Sequence, residues 1–383
     1  MPPTRTPQPV ALLGATGAVG QRFVAQLAGH PWFRLARLFA SEKSAGRTYG
    51  EAAPWNLETM LPEEAATLRV EAATPEALAA LATEGIAVAF SALDASFAEE
   101  LERACAAGGT HVFSNAASHR LDPRVPLVVP EVNAEHLALF GEQVWHHPAA
   151  RAGRVSGQLV TNPNCSTIGL TLALAPLIAR FGLRRVGLVS LQALSGAGLV
   201  DGRLRTLVDN VIPFIAGEEE KLAVETRKIL GRLGAGTPLV IEPSHVSVSA
   251  TCTRVPVTDG HTLVVSIELE EPATASELRA LFATFRARPQ ELGLPSAPGQ
   301  PVHYLAEDDA PQPMLHRNLE AGMAASVGRL RPETLFGEPS LQNDERARRG
   351  WKFVTLSHNT IRGAAGGSLL NAELAHATGL FGH

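Results

Sequence analysis

The sequence predicts an α/β protein: a doubly wound parallel sheet followed by an α+β domain with a mixed sheet. Three observations predict it. Short β-branched or apolar runs alternate with helical stretches up to about residue 160, a glycine-rich turn joins the first run to the first helix, and the texture changes after Gln158-Leu159-Val160. With 383 residues, 45% of them hydrophobic, the chain has material for about two or three domains, each burying its own core.

The elements follow in order. Val10–Leu13 reads as a strand, Val19–Ala28 as a helix and Leu35–Phe39 as a second strand, together a βαβ unit. The alternation continues through a strand at Ile86–Ser91, an amphipathic helix at Phe97–Ala107, and strands at Thr110–Ser114 and Leu127–Val129. Beyond residue 160 come a long apolar helix, Ser166–Phe181, a strand at Val186–Gln192 and a hairpin-rich stretch, Val246–Glu270. Pro295–Pro313 is rich in Pro, Asp and Glu and lacks periodicity, so a surface or interface loop is expected there. Arg362–Leu380 reads as a helix entered through Gly and Ala and expected to fold back on the first domain. Residues 1–160, completed by 358–383, then form one domain and 161–357 the other. No internal repeat is present.

The net charge of −5 and pI near 6.2 arise from 33 basic and 38 acidic residues spread along the chain. Without a basic stripe, nucleic acid and anionic membrane are not expected partners. Met1-Pro2-Pro3-Thr4-Arg5-Thr6-Pro7 has no apolar signal-peptide core, and Ile168–Ala179 falls short of the roughly 20 residues a bilayer span requires, so a cytoplasmic protein is expected. Three cysteines without CxxC spacing suggest neither a disulfide framework nor a metal site.

Gly14-Ala15-Thr16-Gly17-Ala18-Val19-Gly20 lies between a buried strand and a helix, the context of a pyrophosphate site in a Rossmann-type fold. Glycines let the backbone approach the phosphates, and the helix N-terminus offers free N–H groups and partial positive charge. The spacing is GxxGxxG rather than GxGxxG. After the second strand, Ser41, Lys43, Ser44 and Arg47 occupy the place where an NAD enzyme carries a lone acid, so NADP is expected, with Glu42 keeping NAD open.

Thr161-Asn162-Pro163-Asn164-Cys165-Ser166-Thr167 leads into the long helix, placing Cys165 at its N-terminus. There the dipole and unpaired N–H groups favour a thiolate and can steady an oxyanion. A buried cap residue is the plain alternative, which polar Asn164 and Ser166 argue against. Cys105, among alanines in an amphipathic helix, reads as a small hydrophobe, and Cys252 is the rival thiol.

Arg254 and His261 lie in two apolar strands meeting at Asp259-Gly260, a hairpin signal. In a two-residue loop His261 would face Thr258, and the strand period would put Arg254 on the same face. An arginine fork suits a carboxylate and an imidazole suits proton transfer. The pattern is equally compatible with a surface histidine and a solvated arginine.

Several ordered motifs together give more. Asn164-Cys165-Ser166-Thr167 and Ser190-Leu191-Gln192-Ala193-Leu194-Ser195-Gly196-Ala197-Gly198 precede Gly217-Glu218-Glu219-Glu220-Lys221. Thr253-Arg254-Val255-Pro256-Val257-Thr258-Asp259-Gly260-His261 and Asn359-Thr360-Ile361-Arg362-Gly363-Ala364-Ala365-Gly366-Gly367 follow. Over nearly its whole length the chain resembles the aspartate-semialdehyde dehydrogenase family, in its archaeal and fungal branch. The resemblance implies that Cys165 is a nucleophile and His261 the general acid/base. It implies substrate contacts from Arg254, Gln192, Asn164 and a glutamate of the Glu218–Glu220 run, taken as Glu218, which the run itself does not single out. Arg120 and Lys221 would bind phosphate. Gly14, Thr16, Gly17, Ala18 and Val19, with Ser41, Lys43 and Ser44, would hold NADP, whose nicotinamide would lie by Ser195, Gly196 and Asn359.

The implied reaction is attack of the Cys165 thiolate on β-aspartyl phosphate, loss of phosphate to leave a thioester, hydride transfer from NADPH, and collapse to aspartate semialdehyde. Such a step serves lysine, threonine, methionine and isoleucine biosynthesis. The second domain would be catalytic and would build a homodimer or homotetramer. Malonyl-CoA reductase and N-acetyl-glutamyl-phosphate reductase share the scaffold and the thioester logic, and a non-catalytic NADP-sensing protein is the alternative of another class. Pro311–Asn318 departs from the family pattern in carrying less charge, which is expected to alter a surface or subunit contact rather than the chemistry.

Overall fold

The computed structural model of the chain describes residues 6–151, 153, 155–197, 209–336 and 347–381. Met1–Arg5, part of the leading segment considered above, and Gly198 of the serine–glycine motif lie outside the described residues.

Six parallel strands form the first sheet: β1 Gln8–Leu13, β2 Phe33–Ala40, β3 Val70–Ala72, β4 Val88–Ser91, β5 His111–Ser114 and β6 Leu159–Thr161. Their order is β3-β2-β1-β4-β5-β6, so the direction of winding reverses between β1 and β4. A strand buried on both faces must be apolar at successive positions rather than alternate ones. Val10 and Leu12 of β1 accordingly pack in one core, while Ala11 and Leu13 pack in the other. Numbering helices of ten or more residues, α1 (Ala18–Leu27) supplies Phe23, Val24 and Leu27 to the first core, and α2 (Ala95–Ala107) supplies Leu101 and Cys105 to the second.

The strand expected at Leu127–Val129 is reduced to a single bridge, Leu127 to Thr161. The Asn133 side chain accepts from Val129 N–H and donates to Leu127 C=O, both at 2.8 Å, taking up ladder groups of this segment. Pro130 then opens a short helix, Pro130–Asn133.

From β6 the chain crosses Asn162–Asn164 into α3, Cys165–Phe181. The second sheet is mixed: β7 Leu183–Gln192, β10 Ser247–Arg254, β11 His261–Ala273, β12 Val302–Leu305, β13 Ala325–Pro332 and β14 Arg348–Ser357, in the order β10-β7-β11-β14-β13-β12. A separate pair, β8 Arg232–Leu233 and β9 Ile241–Glu242, follows α4, Glu218–Ile229. One face of the large sheet is covered by α3 and α5 (Ala275–Thr284), through Leu170, Leu174, Leu177, Leu278 and Phe282. The other face carries Gly187, Val189, Ser249, Val264 and Ser266, with Val189 and Val264 exposed.

Two further expectations change. The Pro295–Pro313 stretch is not wholly loop, because Val302–Leu305 adds an edge strand parallel to β13. The β10–β11 hairpin does not form, since β7 lies between the two strands, parallel to β10 and antiparallel to β11. The six-residue connection pairs with the loop after β7 instead: Leu194 N–H donates to Val257 C=O and Ser195 N–H to Thr258 C=O. Gly260, at φ +100°, donates its N–H to Asn359 Oδ1 at 2.8 Å. A two-residue turn gains nothing over these bonds.

The last helix, α6 (Gly366–Ala377), is entered through a π-turn, Ile361–Ala365, and returns to the first sheet, where Leu369, Leu370 and Leu374 pack. No helix among the described residues is long and apolar enough to cross a membrane.

Candidate active site

The site forms where the C-terminal ends of β7 and β10, the start of β11 and the N-termini of α3 and α4 converge. Arg254 pairs with Gln192 across β10 and β7, and Thr262 pairs with Leu191 across β11 and β7. His261, Gln192 and Arg254 therefore line one edge of the sheet, all buried, on its helix-covered face. The same-face placement of Arg254 and His261 is reached without a hairpin, with Gln192 between them. A Cβ on exposed Gly196 would come within 3.0 Å of both Arg254 Nη1 and His261 Cε1, so the backbone at Gly196 borders the pair.

Cys165 is the first residue of α3, and Asn164 caps the helix by accepting from Ser166 N–H at 2.9 Å. The sulfur lies 3.1 Å from His261 Nε2. His261 Nδ1 receives the Ala193 N–H at 3.0 Å. Because an amide can only donate, Nδ1 is the acceptor and the neutral ring carries its proton on Nε2, pointing at sulfur. Arg254 Nη1 donates to the Ala193 carbonyl at 2.6 Å, so Ala193 is held through its N–H by His261 and through its C=O by Arg254. Burial, then the Arg254 and His358 charges, push the His261 pKa down to about 3.

A thiolate favoured by the helix N-terminus is expected from the sequence, but in the structure the balance runs the other way. Burial and then Glu218 push Cys165 up to about 12, against the opposing influence of Arg120, the Ser166 amide and Arg254. Cys252 is fully buried, and burial raises its thiol too. Cys105 is likewise buried and raised. Cys165 alone of the three is partly exposed.

Of the three glutamates opening α4, Glu218 turns inward: Oε2 accepts from Asn164 Nδ2 at 2.9 Å and from Gln192 Nε2 at 3.3 Å, and Oε1 pairs with Lys221 Nζ at 3.3 Å. Glu219 instead accepts from Cys252 N–H, and Glu220 is exposed. Arg120 is buried, donating Nη1 to Glu225 at 3.0 Å and Nη2 to Asn115 C=O at 2.7 Å. Its Nε meets no protein acceptor. Glu225 was not anticipated; it sits seven residues after Glu218 on the same helix stripe, a spacing that charge periodicity could have flagged.

The glycine turn divides its labour. A Cβ at Gly14, φ +76°, would come within 2.5 Å of Ala92 O, and one at Gly20 within 2.3 Å of Gly14 O, so both are required by the protein's own packing. Gly17 is exposed, and its Cβ would meet only Gly14 O at 3.6 Å. Thr16, Ala18 and Val19 flank it, partly exposed at the start of α1. Ser41 and Lys43 are exposed and Ser44 partly so, in the turn that follows β2. Asn359 joins Ser195 Oγ, to which it donates at 2.8 Å, to the Gly260 N–H, from which it accepts. Arg22 of α1 reaches Thr360 Oγ1 at 3.1 Å and Asp259 at 3.4 Å, tying the glycine-turn helix to the segment before His261. Only glycine at 363 lets the π-turn lie against Cys165, whose Cβ would be 2.7 Å from an added carbon. In the divergent Pro311–Asn318 segment Met314 and Leu315 are exposed, whereas Arg317 donates to Asp259 C=O at 3.4 Å.

Residues 9–140 match the family model of the semialdehyde dehydrogenase NAD binding domain, and residues 174–362 that of the semialdehyde dehydrogenase dimerisation domain. The aspartate-semialdehyde dehydrogenase of Methanothermobacter thermautotrophicus is 44% identical over 365 residues, 95% of this chain and 98% of that protein. That of Schizosaccharomyces pombe is 40% identical over 375 residues, 97% and 98% of the two chains. The crystal structure of aspartate semialdehyde dehydrogenase with NADP from Candida albicans is similar with a TM-score of 0.84 and 37% identity, covering 98% of this chain and 100% of that one.

Proposed function

The chain belongs to the aspartate-semialdehyde dehydrogenase family, and from that premise we propose that it is an NADPH-dependent enzyme reducing β-aspartyl phosphate to aspartate semialdehyde through a thioester on Cys165. The observation that carries the reading is the 3.1 Å approach of His261 Nε2 to a sulfur at a helix N-terminus. The curated relatives bear this activity's name, which favours it over malonyl-CoA or N-acetyl-glutamyl-phosphate reduction and over a cofactor sensor.

In this reading Arg254 holds the substrate's α-carboxylate, while Gln192, Asn164 and Glu218 orient the acyl group. Burial keeps the Cys165 thiol protonated until substrate is bound, and as the sulfur attacks, its proton passes to the phosphate that leaves. The sulfur attacks the acyl carbon, the carbon–oxygen bond to phosphate breaks, and phosphate departs against Arg120 and Lys221. The His261 Nε2–H and the free amides at the start of α3 steady the oxyanion and the thiolate that is expelled at the end. As general acid/base His261 thus donates first, since taking up a proton at Nδ1 would break its bond from Ala193.

Residues 1–160, with 358–383, would hold NADP: the pyrophosphate over Gly14, Thr16, Gly17, Ala18 and Val19, the 2′-phosphate by Ser41, Lys43 and Ser44, and the nicotinamide by Ser195, Gly196 and Asn359. The open Gly17 and the exposed cationic turn fit such a group. Bound there, the cofactor supplies the hydride. Residues 161–357 would carry the chemistry and a homodimer contact through the face of the second sheet that bears Val189 and Val264. The unpaired thiols fit a reducing cytoplasm, where the reaction would serve lysine, threonine, methionine and isoleucine synthesis.

The test is NADP reduction by purified protein with aspartate semialdehyde and phosphate. Cys165→Ala should abolish turnover, and His261→Asn should lower kcat by about a hundredfold or more. Full turnover in Cys165→Ala, or a preference for malonyl-CoA in the reductive assay, would sink the assignment.

A further inference from the structure

The α4 helix continues past the residues that face the substrate. Glu218, Lys221, Glu225 and Lys228 follow one another at intervals of three and four, so they form one stripe of alternating charge along one face. The first two belong to the site described above. The last two are more deeply buried, and the proposed chemistry makes no use of them.

Both are fully engaged. Glu225 accepts from Arg120 Nη1 at 3.0 Å through Oε1 and from Asn164 N–H at 2.6 Å through Oε2. Lys228 spends its three ammonium hydrogens on the carbonyls of Arg120, Asp122 and Val125, at 2.7–2.8 Å. Between them they hold Arg120 by its side chain and by its backbone. Through Asn164 the network continues to Glu218 and Lys221, so both phosphate-facing cations and the residue before Cys165 belong to one hydrogen-bonded unit.

A carboxylate beside a phosphate site opposes the anion, and burying either charge is costly. Neither cost is repaid by attraction to substrate. What the pair supplies is direction. With Nη1 bonded to Glu225 and Nη2 to Asn115 C=O, the guanidinium plane is fixed, and the Nε hydrogen and the second hydrogens of Nη1 and Nη2 are left as donors for an anion.

We propose that Glu225 and Lys228 are positioning residues that aim the Arg120 guanidinium at the leaving phosphate and lock it in register with the N-terminus of the Cys165 helix. The proposal rests on the reading of Arg120 as a phosphate ligand.

The experiment measures KM for phosphate, aspartate semialdehyde and NADP separately, with kcat, in the phosphorylating direction. The variants are Arg120→Ala, Glu225→Gln, Lys228→Met and Lys228→Arg, and thermal unfolding serves as the check on folding. Glu225→Gln should raise KM for phosphate about ten- to a hundredfold, the scale of one charge-assisted hydrogen bond, while KM for NADP and aldehyde stays within about twofold. Lys228→Met should do the same, and Lys228→Arg, which keeps the donors, should recover part of the loss. If Arg120→Ala raises KM for phosphate but Glu225→Gln does not, the positioning role is wrong while Arg120 keeps its role. If Arg120→Ala itself leaves KM for phosphate unchanged, the underlying reading of Arg120 fails. Equal loss in all three KM values with lowered melting would mean a structural role only. Should Lys228→Met not fold, the Glu225→Gln and Lys228→Arg results decide.

Discussion

His261 meets two partners on its two ring nitrogens, and the pair it forms with Cys165 follows from that. With Nδ1 occupied by the Ala193 amide and Arg254 nearby, the imidazolium is disfavoured, and burial holds the facing thiol protonated. The resting pair is therefore neutral and not a preformed thiolate–imidazolium. Alkylation of Cys165 by iodoacetamide in the free enzyme should rise about tenfold per pH unit from pH 7 to 9, without an inflection near neutrality. A plateau setting in between pH 5 and 7 would instead reveal a preformed ion pair. The reading of Cys165 as the reactive thiol came from its polar neighbours, and it is the partly exposed one of the three. Its protonation was not legible in the sequence, because desolvation and the Glu218 charge come from groups far away in sequence.

At the scale of elements, the glycine turn shows how one motif mixes packing with binding. Gly20→Ala would force its Cβ into the Gly14 and Ala15 carbonyls and should destabilise the protein by about 1–3 kcal/mol in denaturant unfolding. Gly17→Ala faces no such contact, so it should leave stability nearly unchanged and raise KM for NADP by about tenfold. Equal melting losses in both variants would refute the division. The βαβ unit was readable because its first strand is continuously apolar over Val10–Leu13, its helix amphipathic and its second strand mostly apolar apart from Arg34 and Arg37. The β10–β11 hairpin was misread because Asp259-Gly260 is a local turn signal, whereas the partner that took the hydrogen bonds, the loop after β7, lies some sixty residues earlier.

In the whole molecule, hydrophobic cores lie on both sides of the first sheet, whereas among the described residues the core of the second lies on its α3–α5 side. Gly187, Val189, Val264 and Ser266 lie on its other face, where the homodimer contact proposed above would form. Val264→Glu, replacing an outward side chain near the start of β11, should shift the sedimenting mass toward that of the monomer. An unchanged mass would exclude this face as the contact. Arg22, reaching from α1 to Asp259 and Thr360, makes the cofactor-side helix and the approach to His261 one continuous structure.

By itself the sequence determined the two-part architecture, the glycine turn and the thiol at a helix start, and its motifs pointed to the family. These are encoded by periods of two and 3.6 residues and by short ordered runs, which act over a few neighbours. Tertiary structure alone decided that Glu218 rather than Glu219 or Glu220 faces inward, that Gln192 separates Arg254 from His261, and that Glu225 and Lys228 grip Arg120. Each of those depends on hydrogen bonds between groups distant along the chain, whose geometry exists only once the sheet order β10-β7-β11 has formed and α4 has docked beside it.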